Sequence, residues 1–196
     1  QRDHVLQRPD TYVGSVAKEA REEYVYTRDA IVKKSVSYSP AFLKIFDEIL
    51  TNSADCFNRG APMTTLKVSI DADHVTIFND GCSIPIEKHD EGCYVPELIF
   101  GHLLTGENFD DTQERTGAGR NGYGSKLTNI FSKKFDVEIY DGAHKYIQSW
   151  SDNMTNASKP KVTKSSKAGS ITTTFYPDFE RFGMSSIDED TRSVLV

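Results

Sequence analysis

The chain has 196 residues, 37% of them hydrophobic and 27% charged, with a formal net charge of -6. That length suits one domain with a real core. The acidic balance excludes a dedicated nucleic-acid-binding module, which carries a basic face. No apolar run approaches the roughly 18 residues a membrane span needs, so no membrane contact is expected.

Ser39-Pro40 predicts a helix start, a capping residue followed by Pro at the first helical position. From Ala41 to Phe57 the pattern has the 3.6-residue period. Phe42, Phe46, Ile49, Leu50, Ser53, Ala54 and Phe57 fall on one side, and Lys44, Glu48, Asn52 and Asp55 on the other. Two strands follow, Thr65–Ile70 and His74–Phe78, joined by a hairpin at Asp71-Ala-Asp73. Pro96 opens a helix running to Leu104. A polar, Gly-rich loop from Thr105 to Gly124 then feeds a helix near Ser125. Strands at Phe135–Tyr140, Lys145–Trp150 and Ile171–Tyr176 close the chain, with Asp141-Gly142 turning between the first two. The basic run Lys159, Lys161, Lys164, Lys167 lies among Ser, Thr and Pro and reads as a solvated loop. The mixed order of helices and hairpins gives an α+β fold, a two-layer α/β sandwich with helices on one face of a mainly antiparallel sheet.

Cys56, Cys82 and Cys93 are odd in number and lack metal-ligand spacing, so they read as reduced thiols of an intracellular protein. A start at Gln1 without Met and an end at Val196 inside an apolar run read as boundaries within a longer chain.

Three segments can carry chemistry. Glu48, Asn52 and Asp55 share a helix face at spacings of four and three. That face suits solvent, or a carboxylate and an amide holding water against a hydrated Mg²⁺. The helix alone does not decide. Asn79-Asp80-Gly81-Cys82-Ser83-Ile84-Pro85 follows a strand directly. It is a plain turn, or an amide at a strand end beside a Gly that lets a heterocycle approach.

Thr116-Gly-Ala-Gly-Arg-Asn-Gly-Tyr-Gly-Ser-Lys126 is the most informative, with four glycines in eight positions before a helix. Successive backbone N–H groups there can converge on an anion, and Lys126 can add a charge on phosphate. Gly117-x-Gly119-x-x-Gly122 also fits a dinucleotide fingerprint, with Asp141 about 20 residues on. The polar stretch from Glu107 to Arg115 cannot be the buried strand that a Rossmann site needs, which excludes that reading.

Together with Arg8-Pro-Asp-Thr-Tyr-Val-Gly-Ser15, Lys44-Ile-Phe-Asp-Glu-Ile-Leu50, Tyr94-Val-Pro96, Leu98-Ile-Phe-Gly101 and Gly119-Arg-Asn-Gly-Tyr-Gly124, these segments resemble the GHKL ATPases, the family of DNA gyrase, MutL, a heat-shock chaperone and the histidine kinases. The similarity to eukaryotic-type and phage-type topoisomerase II is closer still and covers essentially the whole chain. It implies a Bergerat-type sandwich over residues 1–196 that binds ATP and Mg²⁺. Glu48 would be the general base, Asn52 the Mg²⁺ ligand, and Asn79, not Asp80, the partner of the adenine amino group. Ile84, Pro85, Ile99 and Phe100 would line the base slot, with Asn108 near the ribose. Gly119, Arg120, Asn121, Gly122, Tyr123, Gly124, Ser125 and Lys126 would wrap the triphosphate.

The resemblance also implies a following domain that sends a Lys to the γ-phosphate. It further implies a homodimer in the whole enzyme acting on double-stranded DNA, and a nuclear location in a cellular eukaryote. This chain alone would be monomeric with little turnover. Ser83 stands where the family has a second Gly, so the backbone there is expected to have φ < 0 or to tolerate some strain. A late-strand Thr near the adenine would correspond to Ser170 or Thr172.

Overall fold

The computed structural model describes residues 1–27, 29–102 and 123–196. Two short helices, α1 (Arg2–Gln7) and α2 (Pro9–Tyr12), lead into a hairpin, β1 (Glu19–Thr27) and β2 (Ala30–Tyr38), that forms its own two-stranded sheet. Then come α3 (Pro40–Asn58), β3 (Leu66–Ile70), β4 (Val75–Asp80), α4 (Val95–Gly101) and α5 (Gly124–Ile130). The chain continues through β5 (Ser132–Tyr140), β6 (His144–Ser151), β7 (Asn156–Ala157), β8 (Lys161–Lys164), β9 (Ser170–Pro177) and α6 (Glu189–Leu195).

The main sheet runs β3-β4-β9-β5-β6-β7, with β8 also on β6, and its described pairings are antiparallel. Strand alternation puts Val75, Ile77, Phe135, Val137, Ile139, Tyr146, Trp150 and Phe175 into one core with Phe42, Ile45, Phe46, Ile49 and Ile130 of the helices. The other face is polar: Thr76 meets Thr174, Lys134 pairs with Asp136, and Lys145 pairs with Glu138. This is the expected α+β two-layer sandwich.

α3 starts as its sequence dictates. Ser39 is extended, its hydroxyl accepts from Phe42 N at 3.3 Å, and Pro40 opens the helix. Its buried stripe is centred earlier than the periodicity suggests. Ala41 and Ile45 are buried, whereas Ala54 and Phe57 are exposed. The neighbours decide this: Thr128 Oγ1 of α5 donates to the Ile45 carbonyl at 2.8 Å, pulling that side of the helix inward.

Several elements escaped the sequence reading. Among its described residues the hairpin β1–β2 buries Val25, Val36 and Tyr38, in a small cluster completed by Leu43 and Val194. Asp190 of α6 fastens it by accepting from Ser37 N at 3.1 Å and pairing with Lys34. Lys161 and Lys164 belong to an edge strand, β8, and not to a loop; pairing with β6 supplies its backbone partners. The cysteine expectation is also corrected. Cys56 and Cys82, separated by 26 residues, are joined as a disulfide with Cα atoms 6.4 Å apart, and Cys93 is the free thiol. The end of α3 and the loop after β4 meet only in the folded chain, so no sequence spacing announced the pair.

Candidate functional site

Behind α3 and above the β4–β9 end of the sheet lies a cavity of about 710 Å³, a volume in the small-molecule range. Lys44, Glu48, Asn52 and Asp55 all line it, so the polar stripe of α3 forms one wall of the cavity, with Lys44 and Asn52 also open to solvent. The side chain of Asn52 makes no hydrogen bond to another described residue, which leaves its amide oxygen available to a hard cation or its water shell.

Glu48 is held on two sides. Its Oε1 pairs with Lys44 one turn earlier on α3. Its Oε2 lies against Gly124, where any Cβ would overlap the carboxylate. Gly124 is fixed in turn because α5 is tied to two other helices. Thr128 bonds α3, and Asn129 Nδ2 donates to the Phe100 carbonyl of α4 at 2.9 Å. The glycine that the sequence offers as an anion-loop residue thus has a second reason to lack a side chain.

Asn79 ends the buried face of β4, 3% exposed, and points into the cavity. Its Oδ1 accepts from Ser53 Oγ at 3.0 Å, and its Nδ2 donates to the Asp80 carbonyl at 3.4 Å. Asp80 points the other way. Its carboxylate accepts from Thr64 N and Thr65 N, each at 2.8 Å, and from Thr64 Oγ1 at 2.6 Å. The Thr64 hydroxyl, then the Thr64 and Thr65 N–H groups, pull its pKa from 3.8 down to about 2. Alternation along one strand therefore separates a cavity-facing amide from a loop-bracing carboxylate.

Gly81 has φ +68°, and a Cβ there would collide with the Pro62 carbonyl. Ser83 is absent from the positive-φ residues, as expected, and its Oγ donates to the Tyr140 carbonyl at 2.7 Å.

Ile84, Ile99, Phe100, Tyr123, Gly124 and Ser125 also line the cavity. Pro85 does not: it is exposed, because the strand-like alternation after Ile84 turns Ile86 inward instead. Lys126 is also off the wall, half-buried on α5, and that burial lowers its pKa. Asn108, Gly119, Arg120, Asn121 and Gly122 lie outside the described residues.

On β9 the sequence left Ser170 and Thr172 open, yet Ile171 and Thr173 reach the cavity. Their register explains it: Ile171 pairs with Asn79 and Thr173 with Ile77, on the inward face of β4. Also missed were Thr11 and Tyr12 of α2, and Cys56 and Cys82, whose bridge borders the slot. Asp141, the acid of the rejected dinucleotide pattern, is consumed by its own turn, accepting from Ala143 N and His144 N.

A two-layer sandwich with this cavity between α3 and an antiparallel sheet is the architecture of one ATPase class. The chain belongs to the histidine kinase-, DNA gyrase B- and HSP90-like ATPases, whose family model matches residues 38–181. Nucleotide is accordingly the ligand class of the domain.

Within that family the chain is 48% identical over its whole length to DNA topoisomerase 2 of Pisum sativum, and spans 14% of that relative's length. It superposes on the crystal structure of the ATPase region of Saccharomyces cerevisiae topoisomerase II with a TM-score of 0.93. The identity there is 45%, covering all of this chain and 54% of that one. Gyrase B of Thermus thermophilus shares the fold at 20% identity, TM-score 0.68, over 98% of this chain and 43% of its own. Among the described residues no helix is long and apolar enough to cross a membrane.

Proposed function

We propose that the chain is the nucleotide-binding module of a type II DNA topoisomerase, taking Mg-ATP in the cavity between α3 and β4. The observation that carries this is convergence: Glu48 and Asn52 of α3, Asn79 of β4 and the Gly124 start of α5 meet on one cavity. Asn79 offers an amide to the 6-amino group of adenine, flanked by Ile84, Ile99 and Ile171. Asn52 fits Mg²⁺ as an oxygen ligand, and the ion would supply charge neutralisation of the phosphates.

Glu48 orients a water on the γ-phosphate and takes its proton. The water oxygen bonds to phosphorus as the bond to the β,γ-bridging oxygen breaks and its electron pair leaves on ADP. The Lys44 ion pair and the Gly124 contact keep that carboxylate in place. Gly119 to Lys126 would wrap the triphosphate, and of these Tyr123, Gly124 and Ser125 line the cavity. In a longer protein, a Lys from a following domain would meet the γ-phosphate. Two copies would close around double-stranded DNA as ATP binds and reopen on hydrolysis, in the nucleus of a eukaryotic cell.

The test is calorimetric titration of Mg-ATP into this chain and into its Asn79→Ala variant. Losing the partner of a buried polar group weakens binding by roughly 5- to 150-fold. Binding unaffected by the substitution would remove Asn79 from the site. No binding to the unaltered chain would overturn the nucleotide reading.

A further inference from the structure

Ser53 is the residue whose chemistry the proposed reaction leaves unused. It sits on α3 one position after Asn52, 5% exposed, and lines the cavity. A serine inside a helix commonly turns its hydroxyl back to the carbonyl four residues earlier. Here the Ser53 hydroxyl instead crosses from the helix layer to the sheet and donates to Asn79 Oδ1 at 3.0 Å.

An asparagine amide has two faces of opposite sense, an acceptor and a double donor, and a turn of about 180° exchanges them. Which face meets the base decides which base is accepted. An oxygen accepts from a 6-amino group, whereas an NH₂ donates to a 6-oxo group. Two contacts bias this amide. Asp80 O, an acceptor only, takes Nδ2–H at 3.4 Å, a long bond. Ser53 supplies the shorter contact, to the oxygen.

We infer that Ser53 is a specificity-determining positioning residue: its hydroxyl holds the Asn79 amide with oxygen toward the cavity and so selects 6-aminopurine over 6-oxopurine nucleotides. The carbonyl has two lone pairs, so accepting from Ser53 leaves one for the base. Reversal would bring Asn79 Oδ1 against the Asp80 carbonyl, two acceptors facing each other. Reversal also turns Ser53 from donor to acceptor of the amide, so its buried hydroxyl proton loses the acceptor it has now.

This rests on the nucleotide reading above, and its test separates the two. ATP and inosine triphosphate differ in the base only around the 6-position, amino against oxo with its N1 proton. Both would be titrated with Mg²⁺ into the chain and into Ser53→Ala, a substitution that favours helix and removes one oxygen. The unaltered chain should prefer ATP. Ser53→Ala should cut the ATP-to-inosine-triphosphate affinity ratio by roughly 3- to 10-fold, the worth of one hydrogen bond, while thermal unfolding stays cooperative. Ser53→Thr, which keeps a hydroxyl, should restore much of the ratio.

A loss of affinity shared equally by both nucleotides would mean that Ser53 only packs, and would overturn the inference while leaving the ATP site standing. A chain that bound neither nucleotide would sink both readings.

Discussion

Lys44 and Glu48 form an ion pair across one turn of α3, with the Glu48 carboxylate mostly shielded at 15% exposure and Lys44 half in solvent. The pair lies on the wall of the cavity, beside the start of α5. A carboxylate restrained by a cation on one oxygen and a bare glycine on the other has little freedom to wander. A general base needs that restraint to meet a water rather than bulk solvent.

Glu48→Ala, made in a longer protein that contains this domain, should leave affinity for a non-hydrolysable ATP analogue within a few-fold. Hydrolysis should fall by about 10²- to 10⁴-fold, the range of lost general-base catalysis. Phosphate release that persisted at the unaltered rate in a clean preparation would take Glu48 out of the mechanism.

Gly124→Ala forces a methyl into the Glu48 carboxylate. Turnover should drop on the order of 10²-fold, the cost of an ångström-scale misplacement, and folding should survive, because Ala favours the helix that begins there. If kcat were unchanged in the variant, the contact would be incidental.

Asp80 gives a pH signature. Its pKa is lowered in the folded chain from 3.8 to about 2 by the Thr64 and Thr65 donors. A depressed carboxyl stabilises the fold above its unfolded pKa, and that contribution is lost as pH falls through the folded value. Asp80→Ala should therefore be less stable than the unaltered chain at pH 7. The gap should shrink between about pH 4 and pH 2. Urea melts across that range would show it, and a gap independent of pH would remove the brace from the account.

With Cys56 joined to Cys82 and Cys93 free, thiol titration in denaturant should find one reactive group without reductant and three after reduction. Three groups at the outset would mean that the two sulfurs are neighbours without a bond. Because both cysteines line the cavity, reduction is also expected to change nucleotide affinity.

On its own the chain should bind Mg-ATP yet release phosphate slowly, and sediment as a monomer. If the γ-phosphate is met by a Lys from a following domain, as proposed, removing that positive donor costs about 10²- to 10³-fold in rate. Turnover first order in protein and equal to that of a longer enzyme would show that the residues present suffice.

Local rules determined much of this protein. The Ser39-Pro40 start, the period of α3, the hairpins at 71–73 and 141–143, and the face shared by Glu48 and Asn52 all follow from neighbours in the chain. The expectation of Asn79 over Asp80 comes from the resemblance alone; strand alternation puts Asn79, and not Asp80, on the cavity wall. The tertiary structure decided what depends on distant partners. It turned Ile86 inward in place of Pro85, and brought Ile171 and Thr173 rather than Ser170 or Thr172 to the cavity through pairing with β4. It made β8 a strand by giving it β6 as a neighbour. It set Ser53 against Asn79 and Cys56 against Cys82, each pair 26 residues apart. Such contacts leave no periodicity in the sequence, because one helix and one strand meet only after the sheet has folded beneath them.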